Sequence, residues 1–177
     1  LSFNGSNQWL QTNSIDFTAT DKMTVFAGVR KLSDAAQAIL METSTAASAS
    51  FPGSFNVTAP NSAAATNYGF RSGGTVSVGM NSGATVFASP ITNVLLMTAD
   101  IGGDGLVGRV NGTQANQSTA DQGTGNYGNY PLYIGARAGT SLWFNGRLYQ
   151  LVARGAQSTE QQIIDAERYI NDKTRAY

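Results

Sequence analysis

Few side chains in this sequence can do chemistry, and their types narrow what that chemistry is. The 177 residues include no Cys and no His. Thiol nucleophiles, imidazole bases, disulfides and nearly all zinc or copper sites are thereby removed, and a Ser-His-Asp triad cannot be built. Glutamate occurs only at Glu42, Glu160 and Glu167. Asp100 and Asp104 flank Ile101-Gly-Gly103, a Gly-rich turn where two carboxylates can hold a hard cation such as Ca²⁺. The other reading of that pair is simple turn stabilisation, because no third carboxylate lies nearby. The most suggestive group is Asn126, Tyr127, Asn129 and Tyr130, followed by Arg137 and Trp143. Aromatic faces suit the C–H face of a sugar ring, and amides suit its hydroxyls. Arg137 can meet an acidic sugar. Tyr127 lies between glycines, where a loop aromatic has little to pack against, so it is expected to be open to a ligand. Against this stand ordinary packing roles: half-buried strand positions for Tyr130, Tyr133 and Tyr149, and core or interface positions for Trp9 and Trp143.

The elements that must position these residues are short strands. Residues 23–30 carry Met23, Val25, Ala27 and Val29 on one face and Phe26 on the other, so both faces are expected to be covered. Residues 36–43 are read as a strand despite good helix formers. Phe55 and Val57, then Tyr68 and Phe70, then Val76, Val78 and Met80 alternate with polar residues. Residues 85–87 are read as a further brief strand. Residues 93–100 form a nearly continuous apolar run of central-strand length, returning through 106–110. Asn111-Gly112 marks a type I′ hairpin into 113–115. Residues 44–50, 61–66 and 116–129 are read as loops. Two strands, 131–137 and 142–154, close the sheet region. One helix follows over 158–171, with a Ser158 cap, Gln161 completing a capping box, and an apolar stripe of Ile163, Ala166 and Ile170. About a dozen short strands with one late helix predict an all-β, two-sheet antiparallel sandwich.

Composition sets the wider limits. The chain fits one domain, residues 1–177, and at this size it can bury a sizeable core without staples. Only 12% of residues are charged, against a usual share of about 25%; Asn, Gln, Ser, Thr and Gly supply the polarity. Lys and Arg are scattered and balance Asp and Glu to a net charge of zero, so a nucleic-acid partner is not expected. No apolar run is long enough to span a membrane. The chain opens on Leu1 and is read as the C-terminal part of a longer protein. The absence of cysteine favours a bacterial or viral product, or one folded in a reducing compartment.

Four stretches in order carry a resemblance: residues 3–10, Phe17 to Arg30, Leu95 to Gly112 by way of Asp100, and Leu132 to Tyr149 by way of Phe144-Asn-Gly146. The closing segment 156–170 matches a common ending of the same domains. The chain resembles laminin-G-like, concanavalin-A-type jelly rolls. Its disulfide-free, Asn/Gly/Ser/Thr-rich form is similar to domains of bacteriophage tail fibres and related virion proteins. That resemblance implies a jelly-roll sandwich with one C-terminal helix, in a homo-oligomer, commonly a trimer, on an extracellular virion fibre. It implies attachment to host-surface carbohydrate without a cofactor, Ca²⁺ at Asp100 and Asp104 being the one metal considered. A structural or trimer-forming fibre domain is the first alternative. Some relatives of this fold hydrolyse glycans, and hydrolysis is the second; a retaining hydrolase needs two carboxyls about 5–5.5 Å apart, and Glu42 stands alone in its strand.

Overall fold

A computed structural model of the chain describes residues 1–45 and 52–177. The loop expected over 44–50 falls mostly outside the described residues. Twelve strands and one helix follow in order: β1 (Ser2–Asn4), β2 (Leu10–Asp16), β3 (Lys22–Lys31), β4 (Ile39–Thr43), β5 (Ser54–Thr58), β6 (Gly69–Gly73), β7 (Ser77–Asn81), β8 (Ile91–Asp100), β9 (Gly105–Val110), β10 (Thr113–Ser118), β11 (Asn129–Ile134), β12 (Asn145–Arg154) and α1 (Glu160–Thr174). They form two six-stranded sheets, β1-β12-β3-β8-β9-β10 and β2-β11-β4-β5-β6-β7. The two long strands β3 and β8 pair antiparallel from Lys22↔Asp100 to Lys31↔Ile91. The sandwich expected from the alternating segments is the fold that forms.

Alternation decides what fills the space between the sheets. Met23, Val25, Ala27 and Val29 of β3 join Leu95, Met97 and Ala99 of β8 in the main core, against Phe55, Val57 and Phe70 of the second sheet. Strand side chains point to opposite faces in turn, so Phe26, Val94 and Leu96 face the other way. They meet Ile163 and Ile170 of α1 in a second, smaller cluster, with Ala166 beside it. The first sheet is thus covered on both faces. Gly28 lies directly beneath the helix: a Cβ there would stand 2.7 Å from the Ile170 and Thr174 methyl carbons.

The helix begins one residue later than its sequence signals indicate. Thr159 is the N-cap, and its side chain and that of Gln162 form a reciprocal capping box. Ser158 instead donates its backbone N–H to Thr24 Oγ1 at 3.0 Å, a buried tie to β3. A one-residue shift is easy because Ser158 and Thr159 are both good caps, and Gln161 and Gln162 are both able partners. Glu167, 3% exposed, takes both Nε and Nη2 of Arg109 on β9, each at 3.0 Å. That bidentate pair fixes helix to sheet where the apolar stripe ends. Residues 85–87 form no strand, because Phe87 turns inward against Tyr68, ring centroids 5.5 Å apart. The Asn111-Gly112 hairpin has positive φ at both residues, 53° and 76°.

Lys31 is fully buried. It pairs with Asp34 at 2.5 Å, donates to Thr66 O at 2.7 Å and sits 5.0 Å from the Tyr68 ring centroid. Desolvation pushes the Lys31 ammonium below its ordinary pKa, only partly offset by Asp34. Desolvation raises Asp34 too, but Lys31 and the Ser89 N–H outweigh it and leave that carboxyl below its ordinary value.

Two outcomes follow. Glu167→Ala leaves the partly buried Arg109 guanidinium with Gly112 O at 2.7 Å and Glu160 at 3.5 Å and is expected to cost about 1.5–3 kcal/mol in urea unfolding. Asp34 binds its proton less tightly when folded, so its contribution is complete above the unfolded carboxylate pKa of about 4. It disappears as pH falls through the lower folded value. Asp34→Asn should therefore flatten the acid limb of stability against pH, measured by thermal melting from pH 7 to pH 3.

Candidate functional site

The outer face of the second sheet carries the polar phase of the strands whose apolar phase fills the core. Register aligns Gln11 with Tyr133, Tyr133 with Glu42, Glu42 with Asn56, Asn56 with Arg71 and Arg71 with Gly79. Directly paired residues share a face, so these six form one row across all six strands. A parallel row is Thr58, Gly69 and Asn81. Asn56, Arg71 and Gly79 of the first row and all three residues of the second floor a hollow of ≈ 410 Å³, walled by Gln37, Asn61 and Arg137 from the adjoining loops. That volume is in the usual range of small-ligand sites, about 300–1,000 Å³. Gly79 keeps the hollow open: the guanidinium of Arg71 lies over it, with Cζ 3.2 Å from where a Cβ would stand.

Glu42 has no exposure and anchors one wall. Its Oε2 accepts from Arg137 Nε at 3.1 Å and its Oε1 accepts from Ser44 Oγ at 3.3 Å. Burial pushes the Glu42 carboxyl up, while Arg137, Ser44 and Asn56 pull it back part of the way. Arg137 belongs to a turn pinned by its bridge to Ser141. Trp9 lies across that turn, with Cζ2 2.4 Å from where a Gly139 Cβ would stand. Its ring tilts against Tyr133, centroids 6.1 Å apart, and it is 36% exposed. The hollow thus offers two guanidinium groups, several amides and the Thr58 side chain. It suits a polar, hydroxyl-rich ligand.

Of the residues expected to share a sugar site, only Arg137 lines this hollow. Tyr127 is the main correction. It is 1% exposed, its ring meets Phe55 edge-on at 5.4 Å, and its hydroxyl bonds Ser72 Oγ at 2.6 Å. Burial pushes its phenol pKa up. The glycines around it do not leave it unsupported; they let the loop press onto the sandwich. Tyr127 N–H donates to Thr20 O at 2.9 Å and Gly128 N–H to Gly53 O at 2.9 Å. A Cβ at Gly53, itself at positive φ, would stand 2.7 Å from Asn126 O. The turn that would carry an open loop aromatic is instead a lid on the core.

Asn126 and Asn129 are exposed and Tyr130 is half-buried. Asn126 Nδ2 donates to Thr18 O at 2.7 Å and the Tyr130 hydroxyl to Pro52 O at 2.9 Å. They lie by the Thr43 end of β4, where Phe55 pairs. Trp143, half-buried, follows Leu142, whose carbonyl accepts from Ile39 N–H at the opposite end. Four residues of strand, about 13 Å, separate those ends, so the expected group does not converge. Arg71, Asn56, Thr58, Asn61, Gln37 and Asn81 were not singled out from sequence. Their signal was present as the polar phase between Phe55 and Val57 and beside Phe70.

Asp100 and Asp104 work within the first sheet's hairpin. Asp100 accepts from Gly103 N–H at 2.9 Å and pairs with Lys22 at 2.8 Å. Asp104, at φ 51°, accepts from Gln122 N–H at 2.9 Å. Among the described residues no three His, Cys, Asp or Glu side chains gather as a cation site, and no helix is long and apolar enough to cross a membrane.

The two six-stranded antiparallel sheets, in this strand order, form a concanavalin-A-type jelly roll. Solved structures with this fold superpose over most of the chain. A Ruminococcus gnavus IT-sialidase CBM40 bound to α2,3-sialyllactose matches with a TM-score of 0.63 at 16% identity, covering 89% of this chain and 97% of that one. Domains LG4-5 of the mouse laminin α1 chain match with a TM-score of 0.65 at 16% identity, covering 89% and 41%. Domain 4 of AbnA, an extracellular GH43 arabinanase from Geobacillus stearothermophilus in complex with arabinotriose, gives 0.69 at 12% identity, covering 94% and 75%. No family profile and no curated protein matches the sequence.

The position of Tyr127 yields an expected result. Tyr127→Phe removes one buried hydrogen bond and should lower stability by about 1 kcal/mol. Tyr127→Ala opens a cavity and should cost about 3–5 kcal/mol. Both are measured by urea unfolding.

Proposed function

We propose that this is a non-catalytic carbohydrate-binding domain whose site is the hollow on the outer face of the second sheet. It serves to attach the protein that carries it to cell-surface glycan. The observation that carries this reading is the lining: Asn56, Thr58, Asn61, Arg71 and Asn81, with Gln37 and Arg137, present amides, a hydroxyl and guanidinium groups in one hollow. Sugar hydroxyls both donate and accept, and such groups answer them in both directions. Two similarly folded structures have saccharides bound, sialyllactose and arabinotriose, which supports the same ligand class.

Hydrolysis is disfavoured by the same geometry. No Asp or Glu lines the hollow, and Glu42 is fully buried against Arg137. A retaining mechanism requires a second carboxyl about 5–5.5 Å from the first. On a virion fibre, the setting suggested by the sequence's style, a trimer would present three such sites. Multivalency would then raise avidity by about 10²–10⁴ over a weak single site.

On a glycan array the protein should bind saccharides, and Asn56→Ala with Arg137→Met should reduce the signal at least about tenfold by removing hydrogen bonds, one of them charge-assisted. Binding that survives both changes would move the site elsewhere. Incubation with capsule or lipopolysaccharide should release no new reducing ends. EDTA should leave binding unchanged, because no Asp or Glu lines the hollow to balance the charge of a hard cation.

A further inference from the structure

We infer that the ligand of this hollow is an anionic saccharide whose single carboxylate is taken by Arg71. This rests on the hollow being the glycan site. The two guanidinium groups there are not equivalent. Arg137 is neutralised by Glu42 at 3.1 Å. Arg71 has no carboxylate within ion-pair distance among the described residues. Its one side-chain hydrogen bond, Nη1 to Ser77 Oγ, is long at 3.4 Å. Yet it is half-buried in the sheet, spread over Gly79, where a Cβ would stand 3.2 Å from its Cζ and Nη2. Arg109, Lys31 and Lys22 are each answered by a carboxylate, Glu167, Asp34 and Asp100 in turn. A desolvated cation left unpaired is costly, and a planar guanidinium in a hollow matches a carboxylate through two parallel bonds.

The charge balance restricts the anion. Arg137 is paired with Glu42, which leaves the single positive charge of Arg71 unmatched by any carboxylate of the lining. A carboxylate cancels it. A phosphate monoester, at about −1.5 to −2, would leave excess negative charge in a partly enclosed site. A second feature points to a ligand rather than to an exposed surface cation. Thr58, 4% exposed, lines the hollow, and its Oγ1 is buried with no hydrogen-bond partner. Buried hydroxyls are seldom left so, because the unmet bond costs about 1–3 kcal/mol. Thr58 lies one row from Arg71, across from Gly69, on the side of the hollow where a carboxylate-anchored sugar would place its ring.

The test is calorimetric titration of the intact protein and of Arg71→Gln and Arg71→Lys, with sialyllactose, methyl galacturonoside, lactose and inorganic phosphate as probes. Thermal melting of each variant confirms folding. At least one acidic saccharide should bind the wild type at least about tenfold more tightly than lactose, given the greater strength of charged hydrogen bonds. Arg71→Gln should abolish that preference, weakening the acidic saccharide at least about tenfold more than lactose. Arg71→Lys should restore only part of it, the charge being kept and the paired geometry lost. The acidic saccharide's affinity should fall between 50 mM and 500 mM NaCl, and lactose's should not. Equal binding of acidic and neutral sugars, unaffected at Arg71, would overturn this inference and leave the glycan reading standing. Binding of phosphate alone would overturn it by showing an anion site without sugar recognition. No saccharide binding, on the array or in titration, would remove the glycan reading and this inference together.

Discussion

The period of two along a strand is the constraint on which this molecule depends. In β5 and β6 each inward residue is flanked by outward ones, and the antiparallel register locks which is which. Phe55, Val57 and Phe70 fill the core while Asn56, Thr58 and Arg71 face away from it. A slip of one residue would exchange the two sets. It would bury a guanidinium and two polar side chains and expose two Phe and a Val. Each Phe or Val side chain is worth about 1.5–3 kcal/mol when fully buried, so the slip is strongly opposed. The energy that holds the sandwich together therefore also fixes the polar side chains of the site, although they do not contribute to the core.

Much of the architecture was legible because it rests on patterns read one segment at a time. The Met23-Val25-Ala27-Val29 stripe with Phe26 opposed announced a sheet covered on both sides, and Ile163 and Ile170 announced what covers it. Asn111-Gly112 announced its hairpin through the positive φ that both residues require. The brief strand expected at 85–87 failed because apolar content alone does not distinguish a strand from a segment that drops one ring inward. Phe87 does the latter, packing on Tyr68.

The site was less legible for a different reason. It is assembled across strands, from residues whose sequence neighbours point the other way, so no contiguous motif marks it. In sequence, the glycines flanking Tyr127 read as looseness. In the structure small residues permit close approach: loop against β5 at Gly53, helix against β3 at Gly28, guanidinium against β7 at Gly79. Arg137 was recognised, but its partner Glu42 lies ninety-five positions away, and Glu42 was weighed as a lone acid. Their pairing shows only when β11 is laid beside β4.

That pairing has a bearing on how recognition would be divided along the chain. Arg137 is on a turn, but the tie to Glu42 gives it the rigidity of a strand residue, and Trp9 weights the turn from above. Little conformational entropy remains to be lost there when a ligand arrives. Arg71 is held by packing over Gly79 rather than by a counter-charge. The hollow therefore combines one cation already spent on its own architecture with one kept in reserve, and selectivity is set by the second without disturbing the first.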